Sequence, residues 1–134
     1  MRTSTTKRLK IMIIEDEPDI LNLYYDYLSR IGHKVINRYL NGDTIITDIQ
    51  KEAPDIYLID YRLPGNKNGI DVAIEILNKF PEASILFITA HEPLRSEISK
   101  YPELRAKNIM VLMKPIKLNR IEESMLYLVN KKWS

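Results

Sequence analysis

Four short apolar runs in this sequence each end in a side chain able to do chemistry. Ile11–Ile14 runs into Glu15 and Asp16, and Ile56–Ile59 into Asp60. Ile85–Ile88 runs into Thr89, and Ile109–Met113 into Lys114. Each residue alone has an ordinary explanation. Acids before Pro18 suit a helix start, and a lone Asp at a strand end often only bonds its own turn. Acid, acid, hydroxyl and amine gathered at one edge are harder to ascribe to capping. Asp16 and Asp60 about 4 Å apart would repel by roughly 4 kcal/mol at an effective dielectric of ~20. A hard cation with oxygen ligands relieves that, and Mg²⁺ takes one or two carboxylates while keeping waters. Cation, ammonium and hydroxyl around a carboxylate are what a phosphoryl group needs as its charge spreads over three oxygens. An Asp carboxylate can itself attack, giving an aspartyl phosphate.

The runs must be strands for this to work. They are too short for helices and are bounded by turn residues, which suits strands buried on both faces. Leu63-Pro64-Gly65 and Asn68-Gly69 mark the loop after Asp60. Ile20, Tyr24, Tyr27/Leu28 and Ile31 recur at helical spacing, and Gly32 ends that helix. Val35–Leu40 reads as a more polar edge strand. Asn41-Gly42 turns the chain, Asp43 can cap the next helix, and Ile45/Ile46 and Ile49 form its inner face. Ile70 to Phe80 and Leu118 to Val129 supply two further helices. Pro93 and Pro102 permit only a short helix near Leu94–Lys100, with one more turn at Glu103–Lys107. Five strands alternating with five helices predict an α/β fold, a doubly wound parallel sheet covered on both faces. Ligands of such sheets bind outside the carboxyl ends of the strands.

Composition narrows the class. With 134 residues, 45% of them hydrophobic and 28% charged, the chain suits one compact domain. Residues 1–8 read as a flexible arm, 9–130 as the domain and 131–134 as a tail. Twenty basic against eighteen acidic residues leave +2, too balanced to point to nucleic acid. Cysteine is absent, which excludes disulfides and thiolate metal sites. No apolar run can span a bilayer and no signal-peptide pattern is seen, so a cytoplasmic location away from membranes is expected.

Taken together, Glu15-Asp16, Asn41-Gly42, Asp60 with Leu63-Pro64-Gly65 and Gly69, Thr89-Ala90 and Lys114-Pro115 resemble the receiver domain of two-component response regulators. The likeness covers about Leu9 to Val129. It implies a flavodoxin-like strand order of 2-1-3-4-5. It also implies that Asp60 is the phosphoacceptor, served by a histidine kinase or phosphotransfer protein. Asp16 would then bind Mg²⁺ directly, with the Arg62 backbone carbonyl and Asp60. Glu15 would act through water, Thr89 would be the switch hydroxyl, and Lys114 would pair with the phosphoryl group. The Lys114-Pro115 bond would be cis. Such a protein is a single-domain signalling phosphoacceptor, not an enzyme in the usual sense, although it can catalyse its own phosphorylation and dephosphorylation.

Three features depart from the family pattern. The loop from Pro64 to Gly69 reads one residue long, and the stretch from Thr89 to Lys114 a few residues long. Val111 occupies the place of the usual aromatic switch residue. The output face is therefore expected on the fourth helix, fifth strand and fifth helix, moved by backbone shift and offered to a downstream protein or a second copy. Two other readings compete. A pseudo-receiver would keep the fold without phosphorylation, against the intact Asp16, Asp60, Thr89 and Lys114 set. A dehalogenase-like phosphohydrolase would want a second Asp where Arg62 stands. His91, two positions after Thr89, reads either as tuning water access to the phosphoryl group, a role the resemblance suggests, or as a plain surface residue.

Overall fold

The computed structural model describes residues 8–49 and 51–133. The expected arm therefore lies, up to Lys7, outside the described residues. In chain order the elements are β1 (Lys10–Ile14), α1 (Pro18–Arg30), β2 (Lys34–Tyr39), α2 (Ile45–Ile49) and β3 (Ile56–Ile59). They continue with α3 (Gly69–Lys79), β4 (Ser84–Thr89), α4 (Leu94–Ile98), a 3₁₀ turn (Pro102–Leu104), β5 (Asn108–Met113) and α5 (Leu118–Trp133). The sheet is parallel throughout, in the order β2-β1-β3-β4-β5.

Alternation along the strands divides the core in two. Ile11, Ile13, Leu58, Leu86, Ile88 and Leu112 point to one face, where α1 and α5 cover them with Leu21, Tyr24, Leu28, Ile121 and Met125. Met12, Ile14, Tyr57, Ile59, Phe87 and Val111 point to the other, against Ile45, Val72, Ile76 and Leu94. Burial on both faces is why β3 and β4 read as unbroken apolar runs. β2 is half-buried, as an edge strand should be.

Helix ends follow local chemistry. Pro18 opens α1 at a position whose N–H has no helical partner to lose. Gly32 takes φ +106° just beyond it. Asn68 caps α3 through a reciprocal pair of bonds with Asp71, a box the loop reading of Asn68-Gly69 overlooks. Around α2, the Asn41 side chain, not Asp43, makes the turn bond, accepting the Asp43 N–H at 2.9 Å. The turn expected at Glu103–Lys107 starts earlier, at Pro102. α5 continues to Trp133, past Val129 and into the stretch read as a tail.

Two glycines are required by close approach. A Cβ at Gly69 would collide with the Asp60 carbonyl oxygen and come within 2.8 Å of the Tyr61 Cα. A Cβ at Gly42 would collide only with a Val72 methyl. Backbone cannot step aside as a side chain can. Gly69→Ala should therefore cost about 1–3 kcal/mol, and more than Gly42→Ala. Urea midpoints of the two variants measure the difference.

Candidate functional site

The strand order places the chain's reversal between β1 and β3, and the site lies at the carboxyl edge there. Ladder hydrogen bonds run to the very residues that carry the chemistry. The Glu15 N–H donates to the Tyr39 carbonyl at 3.0 Å, and the Asp60 N–H to the Ile14 carbonyl at 3.0 Å. The Lys114 N–H donates to the Thr89 carbonyl at 2.9 Å. Each side chain leaves from a backbone the sheet already holds.

Lys114 Nζ donates to Glu15 Oε1 at 2.9 Å and to Asp60 Oδ2 at 3.1 Å. Glu15 is 1% exposed and Asp60 8%, so their charges depend on that ammonium. The second oxygen of Glu15 accepts the Glu17 N–H at 3.1 Å, closing the turn into α1. Burial, with the Asp60 charge beside it, pushes the Glu15 carboxyl up to about 7 against the pull of Lys114. Burial alone would lower Lys114, but its bonds to both acids hold it above the usual lysine value.

Asp16 is the more open of the three acids. One ligand oxygen from each of Glu15, Asp16 and Asp60 lies within 4.8 Å of the others. This all-oxygen set, with one acid facing solvent, fits a hard divalent cation. Thr89 is buried, and its hydroxyl oxygen accepts the His91 N–H at 3.0 Å. The Lys114-Pro115 bond is cis. The structure thus brings Glu15, Asp16, Asp60 and Lys114 into one cluster, with Thr89 at the end of the neighbouring strand and Arg62 two residues beyond Asp60.

Three residues at the mouth were not readable as a unit. The His91 ring stacks on Tyr61 with centroids 4.4 Å apart and planes at 17°. Its Nε2 is 2.7 Å from Glu97 Oε1 and its Nδ1 3.1 Å from Arg62 Nη2. The His91 bond holds the Glu97 carboxyl below its ordinary value, with help from the Tyr61 hydroxyl. His91 is therefore no plain surface histidine. The position of His91 after Thr89 was a signal; nothing in the sequence joined it to Tyr61 and Glu97.

Fold and site together define a doubly wound α/β protein with an acidic, lysine-bridged pocket at the carboxyl edge of its sheet. Residues 11–126 match the family described as the response regulator receiver domain, and the chain belongs to that family of two-component signalling modules. The luminescence regulatory protein LuxO of Vibrio campbellii is 29% identical over 109 residues, covering 81% of this chain and 23% of LuxO. The regulatory protein LuxO of Vibrio parahaemolyticus gives the same figures. This chain thus spans about a quarter of the length of the curated relatives it matches. Among solved structures, a CheY-like receiver domain protein of Methanospirillum hungatei has a TM-score of 0.80 at 17% identity, over 94% of this chain and 97% of that one. The receiver domain of a modulated diguanylate cyclase from Desulfovibrio desulfuricans has a TM-score of 0.79 at 21% identity, over 94% and 97%. At these identities the structural likeness concerns the fold. Among the described residues, no helix is long and apolar enough to cross a membrane.

Removing the ammonium leaves two nearly buried carboxylates facing each other. Lys114→Ala should cost about 3–5 kcal/mol, the usual loss when one partner of a buried pair is deleted. Urea unfolding in EDTA reads this directly, and Glu15→Gln should cost less, because an acceptor for Lys114 survives.

Proposed function

We propose that this chain accepts a phosphoryl group on Asp60 from a histidine kinase or phosphotransfer protein and, so modified, changes an interaction surface. The observation that carries this reading is Lys114 bridging Glu15 and Asp60 beside Asp16 at the carboxyl edge of the sheet. Asp60 is held at the end of a fully buried strand, with Oδ2 on Lys114. Among the described residues Oδ1 has no hydrogen-bond partner. An Asp60 oxygen attacks the phosphorus of a phosphohistidine. The P–O bond forms, the P–N bond breaks, and the imidazole leaves with its electron pair and takes up a proton. The Lys114 ammonium meets the negative charge of the arriving group, and the Thr89 hydroxyl can donate to one of its oxygens.

Asp16, Asp60 and the Arg62 carbonyl would hold Mg²⁺, with Glu15 reaching it through water. The ion would supply neutralisation of the phosphoryl oxygens and of the three crowded acids. Asp16 contributes the most accessible carboxylate. Beside Lys114, the exposed Leu23 joins Ile20, Pro115 and Leu118 in an apolar groove, which gives a phosphodonor protein a footing next to Asp60. The output surface is proposed on α4, β5 and α5. Val111 is buried there and has no ring to swing, so a backbone shift would carry the change to a downstream protein or a second copy.

Incubation with acetyl phosphate and Mg²⁺ should add one phosphoryl unit to the intact mass. The adduct should be absent from Asp60→Asn. An adduct of equal yield in that variant would refute the assignment. Asp16→Ala should lose Mg²⁺ binding by titration and Mg²⁺-dependent phosphorylation together. Wild-type metal affinity in that variant would place the ion elsewhere.

A further inference from the structure

α4 is only five residues long, and its place depends on side-chain ties more than on its own ladder. Leu94 is buried in the core. Arg95 Nη2 donates to the Val111 carbonyl at 2.8 Å, tying the helix to β5. Glu97 ties it to the site. Arg62 can only donate, so the Nδ1 of His91 facing it is the acceptor, and Nε2–H donates to Glu97. Tyr61 joins through its ring, stacked on His91 with centroids 4.4 Å apart. Tyr61 directly follows Asp60, and the His91 main-chain N–H is bonded to the Thr89 hydroxyl oxygen. One continuous set of contacts thus runs from Asp60 and Thr89 to α4.

We propose that Tyr61, His91 and Glu97 form a clamp that holds α4 in a resting position, and that Thr89 opens it when its hydroxyl turns to a phosphoryl group on Asp60. The clamp rests on the phosphoacceptor reading and names the route by which it reaches α4. When Thr89 Oγ1 rotates away, the His91 amide loses its acceptor. A half-buried amide left without a partner is costly, so residues 90 and 91 shift to find another. His91 cannot shift and also keep both its stack on Tyr61 and its bond to Glu97. The second tie of α4 gives way while the first, through Arg95, remains. The helix then pivots beside β5, and no aromatic side chain at position 111 is needed.

Hydrogen exchange of residues 92–101, with and without beryllofluoride and Mg²⁺, tests the clamp in wild type, Tyr61→Phe, Glu97→Ala and Glu97→Gln. Wild-type α4 amides should lose protection on adding the phosphoryl mimic. In Glu97→Ala they should exchange about tenfold faster already without it, as loss of a charge-assisted hydrogen bond implies, and the mimic should then add little. Tyr61→Phe keeps the ring stack and should stay near wild type, and Glu97→Gln should restore part of the resting protection by keeping an acceptor. Wild-type protection in unliganded Glu97→Ala overturns the clamp. So does faster exchange to which the mimic adds its full wild-type increment, since Glu97 would then be only a structural tie. The mass measurement with acetyl phosphate separates the two readings. Without an Asp60 adduct in wild type the phosphoacceptor reading fails. With an adduct in every variant and unchanged α4 responses, the clamp alone fails.

Discussion

One ammonium shared by two nearly buried carboxylates is the constraint on which this structure turns. Without Lys114, Glu15 and Asp60 would face each other as like charges with little water to screen them. With it, the edge of the sheet holds a preformed polar site that still carries excess negative charge from Asp16. That excess suits a cation, and the shared lysine is placed to meet a third anion. Such an arrangement stabilises the fold only modestly, because desolvation opposes the attraction. It makes sense as a site tolerated for its chemistry.

The rest of the molecule makes that arrangement rigid. The three key residues lie one step beyond apolar strands packed on both faces, and their own N–H groups extend the ladder. The approach of α3 adds a further restraint. Gly69 lies so close to the Asp60 carbonyl that its N–H donates to the next carbonyl, that of Tyr61, at 2.7 Å. Asn68 and Asp71 fix where that helix begins. The loop after Asp60 is therefore pinned at both ends, and the phosphoacceptor candidate is not free to wander.

By contrast, the α4 region has few main-chain restraints. Pro93 and Pro102 bracket a single short helix and a 3₁₀ turn, so few main-chain bonds resist its displacement. Its ties are individual side chains: Arg95 to a β5 carbonyl and Glu97 to His91. Local stability thus differs sharply between the two sides of the pocket, with a fixed β1–β3 side and a loosely tethered β4–α4 side.

The strands, their alternation with helices and the acids, hydroxyl and amine at their ends were legible in the sequence, because short apolar runs and turn residues are local signals. So was the weakness of α4, since proline acts on its own backbone. Glu15 was legible as a site residue but not as the partner of Lys114, because a contact across 99 positions leaves no local trace. The capping box at Asn68 was missed for the opposite reason: Asn-Gly reads equally well as a turn, and only the approach of α3 to Asp60 chooses between them. Tyr61, His91 and Glu97 look like an ordinary tyrosine, histidine and glutamate in the chain. What unites them is the parallel pairing of β3 with β4, which sets two loops side by side and brings α4 beneath them. Residue types and local pattern determined which chemistry was available. The tertiary structure decided which two carboxylates the lysine bridges and which helix lies bonded to His91, because both depend on distances that exist only once the sheet has formed.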